Sequence, residues 1–256
     1  MATALSACAA FGLRAAYLGA IGTDDNGRRI RQELASRGLD LSHVVTRDGA
    51  NQFAVITVDE RTGERIVLWD RDERLLLQPD EVPAELIASA RLVHVDDVDE
   101  RAALRAATLA REAGIPTTSD FDRVTEHTPE LVAAVSMPIF AEHVLSAITG
   151  ERDYERALHQ LRRTHAGMLC ITLGPRGSMM LVGDDLVIEP GFAVAAVDTT
   201  GAGDVFRAGF ITAFLIGAGP REILRFANAA AALSCTRAGA LGGIPSLTEI
   251  ERLVNS

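Results

Sequence analysis

The 256-residue chain has no lysine; all 25 of its basic residues are arginine. This excludes chemistry that needs a lysine amine, such as Schiff-base catalysis, a Walker-A loop ending in Lys-Ser/Thr, or the strand lysine of protein kinases. Any phosphate it handles must meet backbone amides, arginine or a metal. Cysteine is scarce: Cys8, Cys170 and Cys235 stand far apart with no C-x-x-C spacing and read as small buried hydrophobes in a reducing compartment. The histidines, His43, His94, His127, His143, His159 and His165, are scattered without metal spacing, which speaks against a zinc enzyme. No run approaches 18 apolar residues and no basic stretch opens the chain, so it reads as cytoplasmic with no membrane partner. Positive charge is also in deficit: 25 basic against 35 acidic side chains leave −10, which speaks against a nucleic-acid partner.

Apolar residues make up 48% of the chain, enough for a sizeable core. Short apolar runs at 15–18, 92–95, 116–119, 138–140 and 168–172 read as strands. Periodic stretches at 2–11, 25–37, 99–113, 128–135, 142–149 and 153–164 read as helices. Such alternation implies a single α/β domain over 1–256, with a mostly parallel sheet covered on both faces. Two period-two segments break the pattern. One is a hairpin at 51–69 turning at 61–63, which suits a lid formed by residues 50–70 or a plain edge hairpin. The other is a hairpin at 177–189 turning at 183–185.

The strongest local signal is Asp198-Thr199-Thr200-Gly201-Ala202-Gly203-Asp204-Val205-Phe206. A small-residue turn leads into a stretch, 204–216, that is apolar nearly all round and so belongs deep in a core. Helix N-termini expose unpaired N–H groups and the positive end of the dipole, and Gly201, Ala202 and Gly203 let a phosphate oxygen approach them. Asp204 then stands where an anion would bind. It suits a base that takes the proton of an attacking hydroxyl, or simply a carboxylate that stabilises the dipole. Spacing alone leaves both readings open.

The segment DTTGAGDVFRAGF resembles the C-terminal signature of the ribokinase-like (PfkB) carbohydrate kinases. Leu18-Gly19-Ala20-Ile21-Gly22-Thr23-Asp24-Asp25-Asn26-Gly27 is similar to the early GxxGxDxxG element of that family. Ile171-Thr172-Leu173-Gly174-Pro175-Arg176-Gly177 is similar to its T-x-G-x-x-G turn, and 226–231 and 236–240 to its C-terminal segments. The resemblance implies a ribokinase-like α/β fold with a small β lid, and a kinase that transfers the γ-phosphoryl of ATP to a hydroxyl of a small sugar-like molecule. It implies that Asp204 is the catalytic base at the acceptor and that Gly201, Ala202 and Gly203 form the anion hole. Thr172, Gly174 and Gly177 would line the phosphate and ribose side, with Asn228 near the adenine. Mg²⁺ would arrive with the nucleotide. Main-chain oxygens around Asp198, Thr200, Ser234, Arg237 and Gly239 match where relatives hold a monovalent cation such as K⁺. Lids in this family often pair, so a homodimer stays open.

Two departures stand out. Relatives open with a strand carrying a sugar-binding Asp, then lid strands and a Gly-Gly pair. Met1 falls just after that pair, so the N-terminal strand is expected to be missing from a shortened chain. Thr3 occupies the place of a sugar-contacting Asn. The family's Asn-x-x-Glu is also replaced, by Ala141 and Val144 with Glu142 nearby. Both departures leave a non-catalytic ligand-binding member of the fold as the alternative. Asp120 and Asp122 fall where the family's mid-sheet Asp sits, and Arg123 reads equally as a surface charge. A nicotinamide-dependent oxidoreductase is excluded, since no strand is followed by GxGxxG with an acidic residue at the usual distance.

Overall fold

The computed structural model describes residues 1–58 and 65–256. The elements, in chain order, are α1 (Ala2–Ala10), β1 (Ala20–Gly22), α2 (Asp25–Ser36), β2 (Val45–Arg47), β3 (Phe53–Val58), β4 (Arg65–Asp70) and α3 (Ala84–Ser89). They continue with β5 (Val93–Asp96), α4 (Glu100–Glu112), β6 (Thr117–Asp120), α5 (Thr128–Ala134), β7 (Ile139–Ala141), α6 (Glu142–Thr149) and α7 (Tyr154–Arg162). β8 (Leu169–Thr172), β9 (Ser178–Val182), β10 (Asp185–Glu189), α8 (Ala202–Leu215), α9 (Pro220–Ser234) and α10 (Leu247–Val254) complete the chain. The chain forms two compact units: Met1–Ala15 with Gln78–Ser256, and Ala16–Leu77.

In the smaller unit β1 pairs in parallel with β2, and β3 pairs with β4 as an antiparallel hairpin. The hairpin turn expected at 61–63 lies outside the described residues. The strand expected at 15–18 is corrected: Ala16 makes one isolated bridge to Asp40, and the strand itself is β1. The early glycine-rich element owes its composition to close packing and capping. A Cβ on Gly27 would stand 1.9 Å from the Gly22 carbonyl oxygen, and the Asp24 carboxylate caps α2 by accepting the Gly27 N–H at 2.8 Å.

In the larger unit β5 and β6 pair in parallel, as do β7 and β8. Parallel bridges at Thr118–Met137 and Phe121–Phe140 join the two pairs. β9 and β10 then extend the sheet antiparallel, as the hairpin signal at 177–189 predicts. Successive strand residues point to opposite faces, and in β7 and β8 both sets are buried. Ile139, Cys170 and Met180 share a cluster with Phe206, Phe210 and Ala213 of α8. Phe121, just past β6, and Phe140 of β7 stack with ring centroids 5.4 Å apart. Burial pushes the Cys8 and Cys170 thiols up to about 12, consistent with purely apolar roles.

Helix α8 fixes the site. Phe206, Phe210 and Ala213 face the sheet cluster, while Val205, Ala208 and Ile211 pack with Ala7 and Cys8 of α1 and with Phe11, which caps it. Every residue from 205 to 213 is buried, so the helix needs apolar side chains on all faces. Its crossing with α9 is tight: a Cβ on Gly209 would stand 2.9 Å from the Ala227 Cα. Gly209→Val should therefore force the helices apart and lower the unfolding free energy by about 1–3 kcal/mol, as overpacked cores do. Urea denaturation of the two proteins measures this.

Candidate active site

The carboxyl ends of the parallel strands and the amino end of α8 converge. In open α/β sheets the crevice beyond the strand ends receives ligands. β5 ends in Asp96 and β6 in Asp120, register partners across the ladder, and β8 ends in Thr172. Gly201 caps α8 in the left-handed conformation, φ 80°, where a side chain is strained. It is also hemmed in: a Cβ there would stand 2.8 Å from the Ala240 Cβ and 3.3 Å from the Thr3 Cγ2. The structure thus brings Thr3 beside the turn. Gly203 is exposed. The Ala202 N–H turns back onto the Thr199 carbonyl at 3.2 Å. Those of Gly203 and Asp204 have no partner among the described residues, as the first turn of a helix leaves them. Open amides without covering side chains are what an anion needs.

Asp204 is largely buried at this helix end. Its Oδ1 accepts from the Met1 amino group at 3.0 Å and from the Ala4 N–H at 3.3 Å; its Oδ2 accepts nothing among the described residues. Burial pushes its carboxyl up, but the Met1 ammonium and then Arg207 outweigh that, so the group stays below the usual carboxylate range. Asp96 lies 3.9 Å from the same ammonium, and burial holds its carboxyl above the ordinary value. Asp120 forms an ion pair with the buried Arg207 guanidinium. Burial still raises its carboxyl to about 6, against the pull of Arg207. His94, on β5, bonds the Thr118 hydroxyl through Nδ1 at 3.0 Å, and burial drives it down to about 3, so the ring is neutral.

The other expected residues fall into two groups. Thr172, Gly174 and Gly177 sit together at the end of β8 and the turn into β9, with the Leu173 N–H on the Gly177 carbonyl at 2.8 Å. Asn228 adjoins them through the Ser178 hydroxyl, which donates to its Oδ1 at 3.0 Å. Its own carboxamide is engaged within the chain. Both amide hydrogens are spent on the Glu189 and Pro190 carbonyls, at 3.0 and 3.2 Å, so it ties α9 to the end of β10. In the second group, Asp198 joins Thr200 and Gly239 by accepting both N–H groups, at 2.9 and 2.8 Å. The Ser234 and Gly239 carbonyl oxygens flank Gly243, where a Cβ would stand 2.5 and 3.2 Å from them. The Arg237 side chain is spent on an ion pair with Glu249.

Three further charges take their places in the structure. Arg123 is no free surface charge: its guanidinium donates to the Asp97 carbonyl at 2.6 Å, and the Asp97 carboxylate accepts the N–H groups of Asp122 and Arg123. Asp122 is exposed beside His143, so of the two aspartates only Asp120 reaches the cluster. Glu142 opens α6, half-exposed, and pairs with Arg176. Sequence reasoning missed Arg207 and His94. The signal for Arg207 was present: one cation in a helix otherwise apolar all round must find a buried partner.

A model of the pfkB family of carbohydrate kinases matches residues 2–247. The chain is 31% identical to the ATP-dependent ribose-1-phosphate kinase of Halopiger xanaduensis, over 93% of its own length and 80% of that protein. It is 29% identical to the nucleoside kinase of Methanothermobacter thermautotrophicus, over 93% and 78% of the two chains. Among solved structures, Arabidopsis thaliana ribokinase complexed with ribose and ATP superposes with a TM-score of 0.88, at 23% identity, covering all of this chain and 86% of that one.

The raised Asp120 carboxyl makes a stability prediction. Its folded pKa of about 6 lies above the roughly 3.9 of an unfolded aspartate, so between those values the folded state binds more protons. The contribution of Asp120 to stability therefore falls as pH rises from about 4 to about 6. The unfolding free energy of the wild type minus that of Asp120→Asn should decline across this window in a urea series. A flat difference would contradict the assignment.

Proposed function

The chain belongs to the pfkB family of carbohydrate kinases, and from that membership we propose that it transfers the γ-phosphoryl of ATP to a hydroxyl of a sugar or sugar-like molecule, with Asp204 as the base. The observation that carries this reading is the pairing of a carboxylate with open amides at one helix end. Asp204 Oδ2 accepts no hydrogen bond among the described residues, and the Gly203 and Asp204 N–H groups beside it are unpaired.

Each residue then has a task. Asp204, kept ionised in largely buried surroundings, orients the acceptor hydroxyl and takes its proton as the bond to phosphorus forms. The amides of the turn at 201–204 hold the charge that spreads over the transferred group, and the dipole of α8 adds to their potential. Gly201, Ala202 and Gly203 admit that group because they present no bulk. Thr172, Gly174 and Gly177 form the neighbouring rim for the remaining phosphates and ribose. Asn228 holds that rim in shape from behind. Thr3, packed against Gly201, borders the acceptor side.

When bound, Mg²⁺ would neutralise phosphate charge. Among the described residues no group of three His, Cys, Asp or Glu side chains is placed to hold a metal ion. The ion would be carried by nucleotide oxygens and water. A monovalent cation such as K⁺ would suit the main-chain oxygens near Asp198, Thr200, Ser234, Arg237 and Gly239, since Asp198 already draws two of these segments together. No helix among the described residues is long and apolar enough to cross a membrane. The need for ATP fits a cytoplasmic enzyme.

Coupled measurement of ATP consumption over a panel of pentoses, ketohexoses, sugar phosphates and nucleosides tests the reading. ATP binding without turnover on every member would mark a non-catalytic binder of the same fold. With an active acceptor found, Asp204→Asn should lower kcat by roughly 10²- to 10⁴-fold with little change in the KM for ATP. Near-normal turnover in that variant would remove Asp204 from the role of base.

A further inference from the structure

We propose that Arg207 is a positioning residue of this site: its guanidinium, seated beneath Gly203 and paired with Asp120, braces the amino end of α8 and adds positive charge on the side of Asp204 away from the Met1 amino group. The inference rests on Asp204 being the base. Arg207 lies one turn after Asp204, on the same side of the helix. Its side chain is only 4% exposed. A guanidinium does not lose its proton in a protein, so once buried it has to be paired. One end pairs with the Asp120 carboxylate. Nη1 reaches under the turn, where a Cβ on Gly203 would stand 2.7 Å from it. Gly203 is therefore glycine for a second reason, because the guanidinium occupies the space below. Nε is buried without a hydrogen-bond partner among the described residues.

Stability alone does not explain this arrangement. Apolar residues of similar volume commonly replace buried ion pairs without loss, and every other residue of α8 from 205 to 213 is apolar, glycine or threonine. The electrostatics of the strand ends do explain it. The groups around Asp204 are the Met1 amino group from α1, His94 and Asp96 from β5, Asp120 from β6 and Arg207 from α8, with Cys170 of β8 facing Arg207. His94 is neutral, so three carboxylates share this corner. Arg207 favours ionisation of both Asp120 and Asp204, whereas Asp204 opposes that of Asp120. The guanidinium thus adds to the charge felt by the base while, anchored by Asp120, it holds the turn above it.

Arg207 should consequently act alike on both carboxylates, and Asp204 should act against it on Asp120. In ¹³Cγ-aspartate NMR titrations of the nucleotide-free protein, R207Q should raise the midpoints of Asp204 and Asp120, that of Asp204 by about one pH unit, and D204N should lower the midpoint of Asp120. D120N should leave Asp204 in place, since Asp120 is already protonated where Asp204 titrates. In turnover, the kcat of R207Q should recover as pH rises from about 4 to about 6, which loss of a purely mechanical brace would not produce. Should R207Q fail to fold, D204N and the charge-retaining R207K carry the test, R207K keeping the wild-type midpoints. An Asp204 unmoved in R207Q, or an Asp120 unmoved in D204N, overturns the proposal. The NMR readout needs no catalysis. These shifts in a protein that phosphorylates nothing would sink the kinase reading and leave this charge balance standing. Turnover with an unresponsive Asp204 would do the reverse.

Discussion

A helix that is apolar on every face has to be enclosed, and the enclosure of α8 is the constraint on which the rest of the structure depends. With the sheet on one side and α1 on the other, the helix cannot rotate or slide without exposing Phe206 and Phe210 or Val205 and Ala208. Its amino end is thereby fixed against the ends of β5 and β6. A mobile surface helix with the same turn would offer the same amides but no fixed position for them, and phosphoryl transfer depends on position.

Enclosure also changes what the charges do. Aspartates at strand ends in water would titrate near their ordinary values and interact little. Here burial raises Asp96 and Asp120, and only the cations beside Asp204 keep it ionised. The same low-polarity surroundings that make these carboxylates costly make the turn's dipole effective. A site able to hold an anion and a base side by side therefore needs a cation that is neither in the ligand's way nor free to leave. The Arg207 guanidinium, covered by Gly203 and anchored by Asp120, meets both requirements.

Much of this was legible residue by residue. The turn at 201–204 and the helix after it could be read because glycine, small residues and an all-round apolar pattern act locally. The strands at β5, β6, β7 and β8 and the hairpin of β9 and β10 followed from periodicity, with ends displaced by a residue or so. The strand at 15–18 was misplaced. Its residues form an isolated bridge from Ala16 to Asp40, while the glycine-rich segment just after it carries the ladder through close backbone approach at Gly22 and Gly27, a tertiary contact. Asn228 was placed near the adenine by resemblance alone, and its bonds could not be read, because the carbonyls that take its amide hydrogens come from Glu189 and Pro190, far earlier in the chain. Arg123 likewise looked free because its partner, Asp97, is supplied by another strand end.

By itself the sequence determined the chemistry on offer: no lysine, a turn without side-chain bulk, a carboxylate at the third position of a buried helix, and the family these features resemble. Those are properties of neighbouring residues, and short-range sterics and dipoles suffice to set them. Tertiary structure alone decided which charges meet. Asp96, Asp120 and Asp204 are far apart in the chain and become one cluster only because parallel strands end level with one another and α8 points its amino end at them. Their protonation follows from that meeting, since burial and mutual distance, unlike residue type, exist only once the chain has folded.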